Sequence, residues 1–476
     1  MAIQRLQAPV LQDDFTTGMI DDLSVGQSLF PKNAVRKAVN VMFDRPRGAI
    51  TQRNGTTQLG GDVDAGSTIT GLHNHRSSTA ANHKIFSVVG GQIYILNSST
   101  WDTSATLGGT GKTRFITFLD STAAMQGGDV RAWNESSWLS TGGALDVGNF
   151  PDSRVAVELN TRLFTFGDAS NPDTVTGSSL EAGGSISWTS GTKSFKVAPN
   201  DGNGNLTSAI SNGRVVIFFK ERGMYRYDDN ELQRVVDIGT TSHESVFNDD
   251  NGITYFFGQG ANTVGFYTST GGYPVKLSRS ITKWVEAISA SFYTDINGYT
   301  DGTKCYWNVG SVTVDSVTYT NAQYVYSIAD RTWEIRDYAD RFMVEAQYID
   351  TNSNVTTVGG DTDGMIQTID SGTTDNGTPI SSECELAPMV FTTRGRIKVI
   401  NELVAYAQDF QGLQLFMKVD NGEFDNIGSI DDTEKRFKEV KFRGHKFYPK
   451  ITAYNSQAPF VFEGLEYPDV QDEGYQ

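Results

Sequence analysis

The chain is dominated by short stretches in which apolar and polar residues alternate, separated by turn residues. The clearest is Gln323–Asp337, QYVYSIADRTWEIRD, where Tyr324 and Tyr326 fall on one face of a predicted strand. A polar turn follows, and a second strand begins at Trp333. The pattern predicts a β-hairpin with an aromatic residue at each end, Tyr326 and Trp333.

Looser copies of this hairpin recur along the chain. Tyr94 and Trp101 have the same separation as Tyr326 and Trp333, and Val130–Trp138 keeps the turn and the closing tryptophan. A hairpin that returns every 35 to 50 residues or so is typical of a β-propeller. In that fold the repeated aromatic residues are expected to pack one blade against the next.

Residues 61–378 are predicted to form this propeller. Counting hairpin pairs gives about seven blades, with turns at Gly90-Gly91, Asn160-Thr161, Asn212-Gly213, Asn251-Gly252 and Asn297-Gly298. The segment Asp168–Asn205 is rich in Gly, Ser and Thr and is predicted to be an excursion on one rim. Asp370–Pro379 is interpreted as a linker.

The two flanks differ from the repeats. Residues 1–60 are predicted to form an N-terminal arm and docking hairpin: an extended Met1–Leu29, a helical turn from Pro31 through Lys37, and strands Val39–Phe43 and Ala49–Arg53. Residues 379–476 carry longer alternating strands and predict an antiparallel β-sandwich with a tail from Tyr467 to Gln476. The predicted fold is therefore all-β: a propeller between an arm and a sandwich.

Composition agrees with many short strands joined by turns, since Gly is 49 and Pro only 12 of 476 residues. The net charge of -17 disfavours a protein that grips a nucleic-acid backbone, because such proteins need a basic surface. Cys305 and Cys384 fit no disulfide framework. With no signal-peptide pattern and no apolar run of about 20 residues, folding in a cytoplasm without membrane insertion is expected.

Three segments match ligand-binding loops only in part. Gly108–Thr113, GGTGKT, resembles a phosphate loop, but Thr106 stands where the first glycine belongs. Asp201–Asn205 and Asp361–Gly364 place oxygen ligands as calcium loops do, but their later ligand positions are not filled. They are predicted to be ordinary turns.

Histidines and carboxylates also fail to form a recognisable active site. His73 and His75 share one face of a strand with His83 close in sequence, and we expect exposed strand residues rather than a metal site. His243-Glu244-Ser245 lacks the context of a hydrolase triad. The sequence therefore predicts no enzyme, with no catalytic, cofactor-binding or metal-binding residue and no cofactor.

The most basic part of the chain is the run Lys435–Lys450. Lys441 and Arg443 share one face of a predicted strand, and Val440 and Phe442 share the other. This describes a half-buried strand with a solvated polar face, although that face could also meet an acidic partner.

Three parts of the chain together resemble one protein family. They are AVNVMFDRPRGAITQRNGT after the arm, the series RLFTFGD, SISWTSG and SAISNGRVVIFFKERGMYRY in the middle, and GGDTDGMIQTIDSGTTDNGTPI leading into TTRGRIKVINELVAY. In layout the chain resembles the tail nozzle and DNA-stabilisation (head-to-tail joining) proteins of short-tailed double-stranded-DNA bacteriophages.

The resemblance implies a structural protein of the virion tail, assembled in the host cytoplasm. It implies a homo-oligomeric ring, expected to be a hexamer, below the portal-adaptor protein and above tail fibre or needle or plug proteins. The ring would extend or close the channel that retains and ejects genome DNA, which passes without sequence recognition. An acidic wall would repel phosphates and suit that passage.

Two other functions remain open at this stage. A β-propeller adhesin that binds a glycan or receptor is suggested by Trp101, Trp138 and Trp333, since sugar rings stack on exposed aromatic faces. A glycoside hydrolase would need two carboxylates facing each other across a cleft, and the sequence names no such pair.

Overall fold

Regular structure in this protein is almost entirely β-strand. The computed structural model describes residues 4–5, 10–21, 30–44, 48–128, 130–350, 352–391, 397–456 and 458–472. Within these ranges there is one short α-helix, α1 (Thr282–Glu286), and there are five 3-10 turns: Ala80–Asn82, Val147–Asn149, His243–Ser245, Ser278–Ile281 and Ala290–Phe292.

Seven strands precede the repeats. They are β1 (Gln4–Arg5), β2 (Val10–Gln12), β3 (Gly18–Met19), β4 (Ala34–Val39), β5 (Val41–Asp44), β6 (Ala49–Gln52) and β7 (Thr56–Gln58). The first four blades follow in chain order. Blade 1 is β8 (Ile69–His75), β9 (Lys84–Val89), β10 (Gln92–Asn97) and β11 (Thr100–Thr106); blade 2 is β12 (Arg114–Phe118), β13 (Ser121–Met125), β14 (Arg131–Trp133) and β15 (Trp138–Leu139); blade 3 is β16 (Val155–Leu159), β17 (Arg162–Phe166), β18 (Thr174–Gly177) and β19 (Lys193–Lys196); blade 4 is β20 (Leu206–Ser211), β21 (Val216–Lys220), β22 (Gly223–Tyr227) and β23 (Leu232–Val236).

Three further blades complete the ring. Blade 5 is β24 (Ile238–Gly239), β25 (Phe247–Asn248), β26 (Thr254–Gly260), β27 (Val264–Ser269) and β28 (Val275–Lys276); blade 6 is β29 (Asn297–Thr300), β30 (Lys304–Val314), β31 (Val317–Ser327) and β32 (Trp333–Asp337); blade 7 is β33 (Phe342–Ile349), β34 (Val355–Asp361) and β35 (Ile366–Ile369) with β7. The predicted β-propeller of about seven blades is confirmed.

The ring is closed by a strand from the other end of the propeller. β7 precedes blade 1 in the chain but pairs antiparallel with β35, with Thr56 opposite Ile369 and Gln58 opposite Gln367. It thereby supplies the outer strand of blade 7. β7 is hydrogen-bonded to blade 7 and leads along the chain into blade 1. The ring of blades therefore cannot open without breaking a β-ladder.

Turn chemistry explains much of the hairpin geometry. Gly90 and Gly91 at the β9–β10 turn have φ of 52° and 82°, and Asn160 and Thr161 at the β16–β17 turn have φ of 52° and 57°. Two successive positive φ values are what a two-residue hairpin turn needs. Asn297-Gly298 is different: the predicted turn lies inside β29, where Asn297 pairs with Asn308 and Gly298 with Trp307 of β30.

Large aromatic residues fill the spaces between blades, as the repeat predicted. Tyr326 and Trp333 lie directly opposite each other in the β31–β32 ladder, with ring centroids 5.0 Å apart. Trp333 also packs on Phe266 of blade 5 at 5.4 Å and donates from Nε1 to the Leu277 carbonyl. Trp101 in blade 1 donates in the same way to the carbonyl of Leu59, which follows the outer strand of blade 7.

Two further sheets combine both ends of the chain. Their strands after blade 7 are β36 (Thr374–Asp375), β37 (Thr378–Leu386), β38 (Lys398–Gln408), β39 (Leu413–Val419), β40 (Phe424–Ser429), β41 (Glu434–Gly444), β42 (Phe447–Ser456) and β43 (Val461–Asp472). One sheet has the order β41-β38-β43-β6-β5, and β1 and β2 also pair with β43. The other runs through β40, β39, β42, β37 and β4, and β4 continues it into blade 6 through β32.

Two local predictions are wrong here. Pro31–Lys37 is no helical turn, because Ala34–Val39 is a strand held between β37 and β32. Asp168–Asn205 is not only a rim excursion, since it contains β18 and β19, the outer half of blade 3. In both cases pairing with other strands overrides the local composition. The tail predicted from Tyr467 is strand as far as Asp472.

Blade 6 carries a hairpin longer than those of the other blades. β30 and β31 have 11 residues each, and the distal parts reach past the blade. There Val312, Val314 and Tyr319 are buried, and Tyr319 packs against Trp284 of α1 at 5.3 Å. The same continuous core includes residues of both terminal sheets, so blades 5 and 6 and those sheets bury their apolar faces together.

Candidate functional site

Arg53 connects the terminal sheets to the propeller. Its guanidinium donates to both carboxylate oxygens of Asp375 at 2.7 Å and to Asn40 Oδ1 at 2.7 Å. It also donates to the Asp337 carbonyl and lies 4.1 Å from the Tyr338 ring centroid. A bidentate pair this deeply buried fixes orientation as well as distance, so blades 6 and 7 are held against the terminal sheets.

A second buried ion pair lies on β4. Lys37 Nζ donates to Glu383 Oε2 at 2.7 Å, and Lys450 Nζ donates to the other oxygen of Glu383 at 3.3 Å. Burial alone would lower the pKa of Lys37, but the Glu383 carboxylate and the Tyr319 side chain together raise that pKa above its usual value. Lys37 therefore stays charged in the joint between the long hairpin of blade 6 and the terminal sheets.

The centre of the propeller is crossed by an ion pair. Arg114 begins the inner strand of blade 2, and Glu244 belongs to the 3-10 turn beside the inner strand of blade 5. Arg114 Nε and Glu244 Oε1 lie 2.7 Å apart. In a ring of seven blades these two blades stand on nearly opposite sides, so this contact spans the axis.

Lys112 adds a second bridge beside the first. Its Nζ donates to the Thr294 carbonyl at 2.9 Å and lies 3.5 Å from Asp295 and 3.8 Å from Glu244. Burial would raise the pKa of Glu244, but the charges of Arg114 and Lys112 hold it well below its usual range. The carboxylate is therefore ionised, and side chains close the propeller axis at this end.

The contacts of Lys112 show the structural role of the segment that resembles a phosphate loop. Lys112 belongs to Gly108–Thr113, which connects blade 1 to blade 2 with no helix after it. Its ammonium is already engaged by carboxylates and a carbonyl. His243 beside it is neutral, because burial and the Arg114 charge lower its pKa to about 4, and it bonds to Ser208 Oγ. The segment is therefore a connection between two blades whose lysine belongs to the axial ion-pair cluster.

The histidines of β8 are placed differently from the prediction. His73 and His75 do share a face, as expected, but His75 is fully buried rather than exposed. His73 Nε2 bonds to Thr117 and His75 Nδ1 to Thr122, both at 2.8 Å. Burial lowers the pKa of each imidazole. They are interior polar contacts between blades 1 and 2.

Asp201 uses a lysine where a calcium loop would use a metal ion. The Lys220 ammonium lies 3.2 Å from Asp201 and 3.1 Å from Asp173, and its side chain is 1% exposed. Burial raises the pKa of Asp201, but hydrogen bonds led by that from Tyr225 and the Lys220 charge bring it to about 2. In Asp361–Gly364, Asp361 accepts backbone hydrogen bonds from Asp363 and Met365, so this segment is a turn.

A chain of buried polar side chains links blades 6 and 7. Asn308 donates to Asn297, and Gln323 donates to Asn308 at 3.1 Å and to Glu345 Oε1 at 2.9 Å. Glu345 Oε2 is buried and accepts no hydrogen bond. Burial raises the pKa of Glu345 to about 8, despite opposing contributions from its hydrogen bonds and Arg336. The carboxyl group is therefore mostly protonated near neutral pH.

The tryptophans that suggested a sugar-binding surface lie between blades. Trp333 is 1% exposed and Trp101 is 9% exposed. Trp138 packs on Phe86 of blade 1 at 4.9 Å and on Trp133 at 5.8 Å. Trp101 and Trp333 are therefore buried and Trp138 is partly buried against its neighbours, so Trp101 and Trp333 give no support to an adhesin.

Much of the basic run is paired within the terminal sheets. Lys435 contacts Asp431, Arg436 contacts Glu402 and Glu434, and Lys450 contacts Glu383. β41, which carries the first part of the run, is an edge strand whose only ladder partner among the described residues is β38. Lys438 and Lys441 on this strand are exposed.

The structure contains a groove that the sequence did not indicate. It lies between blade 5 and the β31–β32 turn of blade 6 and encloses about 620 Å³. Tyr255, Tyr273, Val275 and Tyr326 form its apolar part, and Lys276 and Arg331 add two cations. These residues are far apart in the chain, and only the packing of the two blades brings them together.

The described residues contain no group of three or more His, Cys, Asp or Glu side chains arranged to hold a metal ion. No helix in the described part of the chain has the length and apolarity needed to cross a membrane.

Comparison with known proteins identifies no family. No family model and no curated protein matches the chain. Among solved structures it is similar to "YCF48 bound to D1 peptide" (9% identity, 67% of this chain and 95% of that chain, TM-score 0.40) and to the extracellular domain of a putative hybrid two component system, BT4673, from B. thetaiotaomicron (10%, 80% and 48%, TM-score 0.40). It is also similar to the N-terminal domain of Nup159 (8%, 70% and 99%, TM-score 0.38). At these values the similarity is one of β-propeller architecture alone.

Proposed function

We propose that this chain is a structural subunit of the tail of a short-tailed bacteriophage. In this proposal copies of the chain form a closed ring that extends or closes the channel for genome DNA. The adaptor protein lies above the ring and fibre, needle or plug proteins lie below it. The propeller of each copy is a rigid module on the ring, and the terminal sheets make the contacts between copies.

The observation that carries the proposal is that strands from both ends of the chain pair within the same two terminal sheets. β2, β5 and β6 share a sheet with β43, and β4 joins β37 to blade 6, so both chain ends form one body with the propeller. The buried Arg53–Asp375 ion pair holds the terminal sheets against the propeller. A subunit that transmits load around a ring needs this rigidity, whereas a free-standing binding domain does not.

The bridged propeller axis also supports a structural role. Arg114, Glu244 and Lys112 close the centre of the propeller, so a channel for DNA has to run along the axis of an assembly. At this axis, Glu244 and Asp295 are engaged by cations and are not presented to a substrate. This argues against the hydrolase alternative at the place where propellers commonly bind substrates.

β41 offers the charge pattern that a head-to-tail contact requires. Such a contact joins two different surfaces of neighbouring copies. Lys438 and Lys441 give this edge exposed positive charge, while most of the acidic excess of the chain lies between residues 61 and 378. Glu439 and Lys441 have φ of 60° and 54°, an edge irregularity that disfavours simple strand addition. Side-chain pairing with an acidic surface of the next copy is therefore the contact we propose.

Electron microscopy and mass photometry of the purified chain test this proposal. We expect closed rings of uniform copy number, and we expect Lys438→Glu/Lys441→Glu to reduce the ring fraction strongly at moderate salt. Lys196→Glu, an exposed charge reversal on blade 3, is the matched control and should leave rings intact. A native chain that stays monomeric at all concentrations and with the adaptor present would refute the proposal. Rings that survive the double reversal would refute the β41 contact alone.

A further inference from the structure

The groove between blades 5 and 6 has the properties of a peptide-binding site. We propose that it binds an extended segment of a partner protein in which carboxylate and apolar side chains alternate. This inference stands apart from ring assembly, because the groove is complete within one copy of the chain. In this proposal the turn that follows Tyr326 contributes the cation that contacts the carboxylates of the partner.

The apolar part of the groove is open to solvent. Tyr273 is 73% exposed and Val275 is 60% exposed, the two largest values among the large hydrophobic residues that the structure describes as exposed. Both stand beside the rings of Tyr255 and Tyr326, which line the floor. Two such side chains at one groove form an apolar patch, and such patches mark binding surfaces.

One cation at the groove is left without a carboxylate partner. The Arg331 guanidinium forms no ion pair with any residue in the described ranges, in a chain whose net charge is -17. Lys276 also lines the groove, but the Glu286 carboxylate acts on its ammonium and opposes the lowering of its pKa by burial. Unpaired positive charge beside apolar surface is complementary to an acidic, partly apolar ligand.

Arg331 occupies a position that usually favours glycine. Its φ is 58° and its N–H donates to the Ser327 carbonyl, which places it in the left-handed region of the β31–β32 turn. Non-glycine residues are sterically disfavoured in that region. The turn nevertheless places an arginine there, and its side chain lines the groove.

The free edge of β28 favours a peptide over a sugar. Val275–Lys276 pairs with β27 on one side, and no other described strand covers the opposite side. An extended segment can add to such an edge and direct alternate side chains into the groove. The lining residues include no Asp, Asn, Glu or Gln. Asp, Asn, Glu and Gln side chains supply the hydrogen-bond acceptors and paired donors that bind sugar hydroxyls, so this lining does not suit a sugar.

Fluorescence anisotropy with defined peptides tests the proposal. The probe is a labelled octapeptide that alternates glutamate and leucine, and the comparison peptide alternates lysine and leucine. We expect saturable binding of the acidic peptide and about tenfold weaker binding by Arg331→Gly. Glycine suits the φ of residue 331, so this variant should fold at least as well as the native chain.

A matched pair of variants controls for nonspecific hydrophobic binding. Val275→Ser removes an apolar contact at the groove, and Val355→Ser removes a valine of similar exposure, 58%, on blade 7. Only the first should weaken binding. Absence of saturable binding below about 1 mM, or equal affinity in Arg331→Gly, would overturn the proposal. So would equal binding of the lysine peptide, or groove-dependent binding of tetragalacturonate with none of the acidic peptide, which would identify a glycan site instead.

Discussion

The Arg114 guanidinium and the Glu244 carboxylate meet at 2.7 Å although their blades face each other across the propeller. Both side chains are mostly buried, at 18% and 14% exposed. Replacing one partner leaves the other charged group without its partner in a poorly solvated place. We therefore expect Glu244→Gln to lower the free energy of unfolding by about 2 kcal/mol, measured by urea denaturation.

The exposed pair Arg436–Glu434 provides the control for this prediction. Both side chains are 49% exposed, so Glu434→Gln should change stability by less than about 0.5 kcal/mol. If Glu244→Gln lowers the free energy of unfolding as little as this control does, the Arg114–Glu244 ion pair does not stabilise the propeller. Arg114→Gln combined with Glu244→Gln should be less damaging than the sum of the single changes.

Glu345 should make stability fall as pH rises. Its pKa is raised from 4.5 to about 8 in the folded chain, so between these values the folded state holds a proton that the unfolded state has released. The free energy of unfolding therefore decreases with pH across this window. Glu345→Gln has no proton to release, and its stability relative to the native chain should improve by about 1–3 kcal/mol from pH 5 to pH 8.

Denaturation at several pH values measures this effect. Glu423→Gln, at an exposed turn, should follow the pH profile of the native protein. Parallel profiles for the native chain and Glu345→Gln would mean that the Glu345 carboxyl is ionised in the folded state.

Lys220 should be the most costly lysine to replace. It is 1% exposed and balances Asp173 and Asp201 between blades 3 and 4. Lys220→Met keeps the apolar stem but leaves two carboxylates facing each other, and we expect a loss of about 3 kcal/mol. Lys196→Met, at an exposed position of blade 3, should be nearly neutral. An unchanged midpoint of unfolding for Lys220→Met would show that the acids are already satisfied without the lysine.

Trp333 should matter for stability and not for recognition. Trp333→Ala empties a site between blades 5 and 6 and should cost about 4 kcal/mol by chemical denaturation. Tyr273→Ala removes an exposed ring and should cost less than about 0.5 kcal/mol. A tryptophan whose loss leaves stability unchanged would contradict the packing role.

The sequence predicted what depends on local periodicity. The Tyr326–Trp333 hairpin and its relative at Tyr94–Trp101 carry a period-2 pattern and suitable turns, and from these the propeller and its approximate blade number followed. Strand Ala34–Val39 was missed because its partners, β37 and β32, lie about 300 residues away. No local signal reports such pairing.

The candidate sites were harder to predict for the same reason. His75 looked exposed because its strand alternates, but Thr122 of the neighbouring blade covers it. Lys112 and Glu244 are 132 positions apart, and only the closed ring makes them neighbours. The groove residues likewise come from two blades. Sequence patterns define each blade, and contacts between blades define these sites.

The closure of the ring by β7 has a consequence for synthesis of the protein. Thr56–Gln58 leaves the ribosome early, but its partner Ile366–Ile369 emerges more than 300 residues later. β4 must wait similarly for β37. β7 and β4 therefore lack these partners until late in translation, and a prematurely released product lacks both the closed circle and the complete terminal sheets. Such a product cannot reach the closed fold.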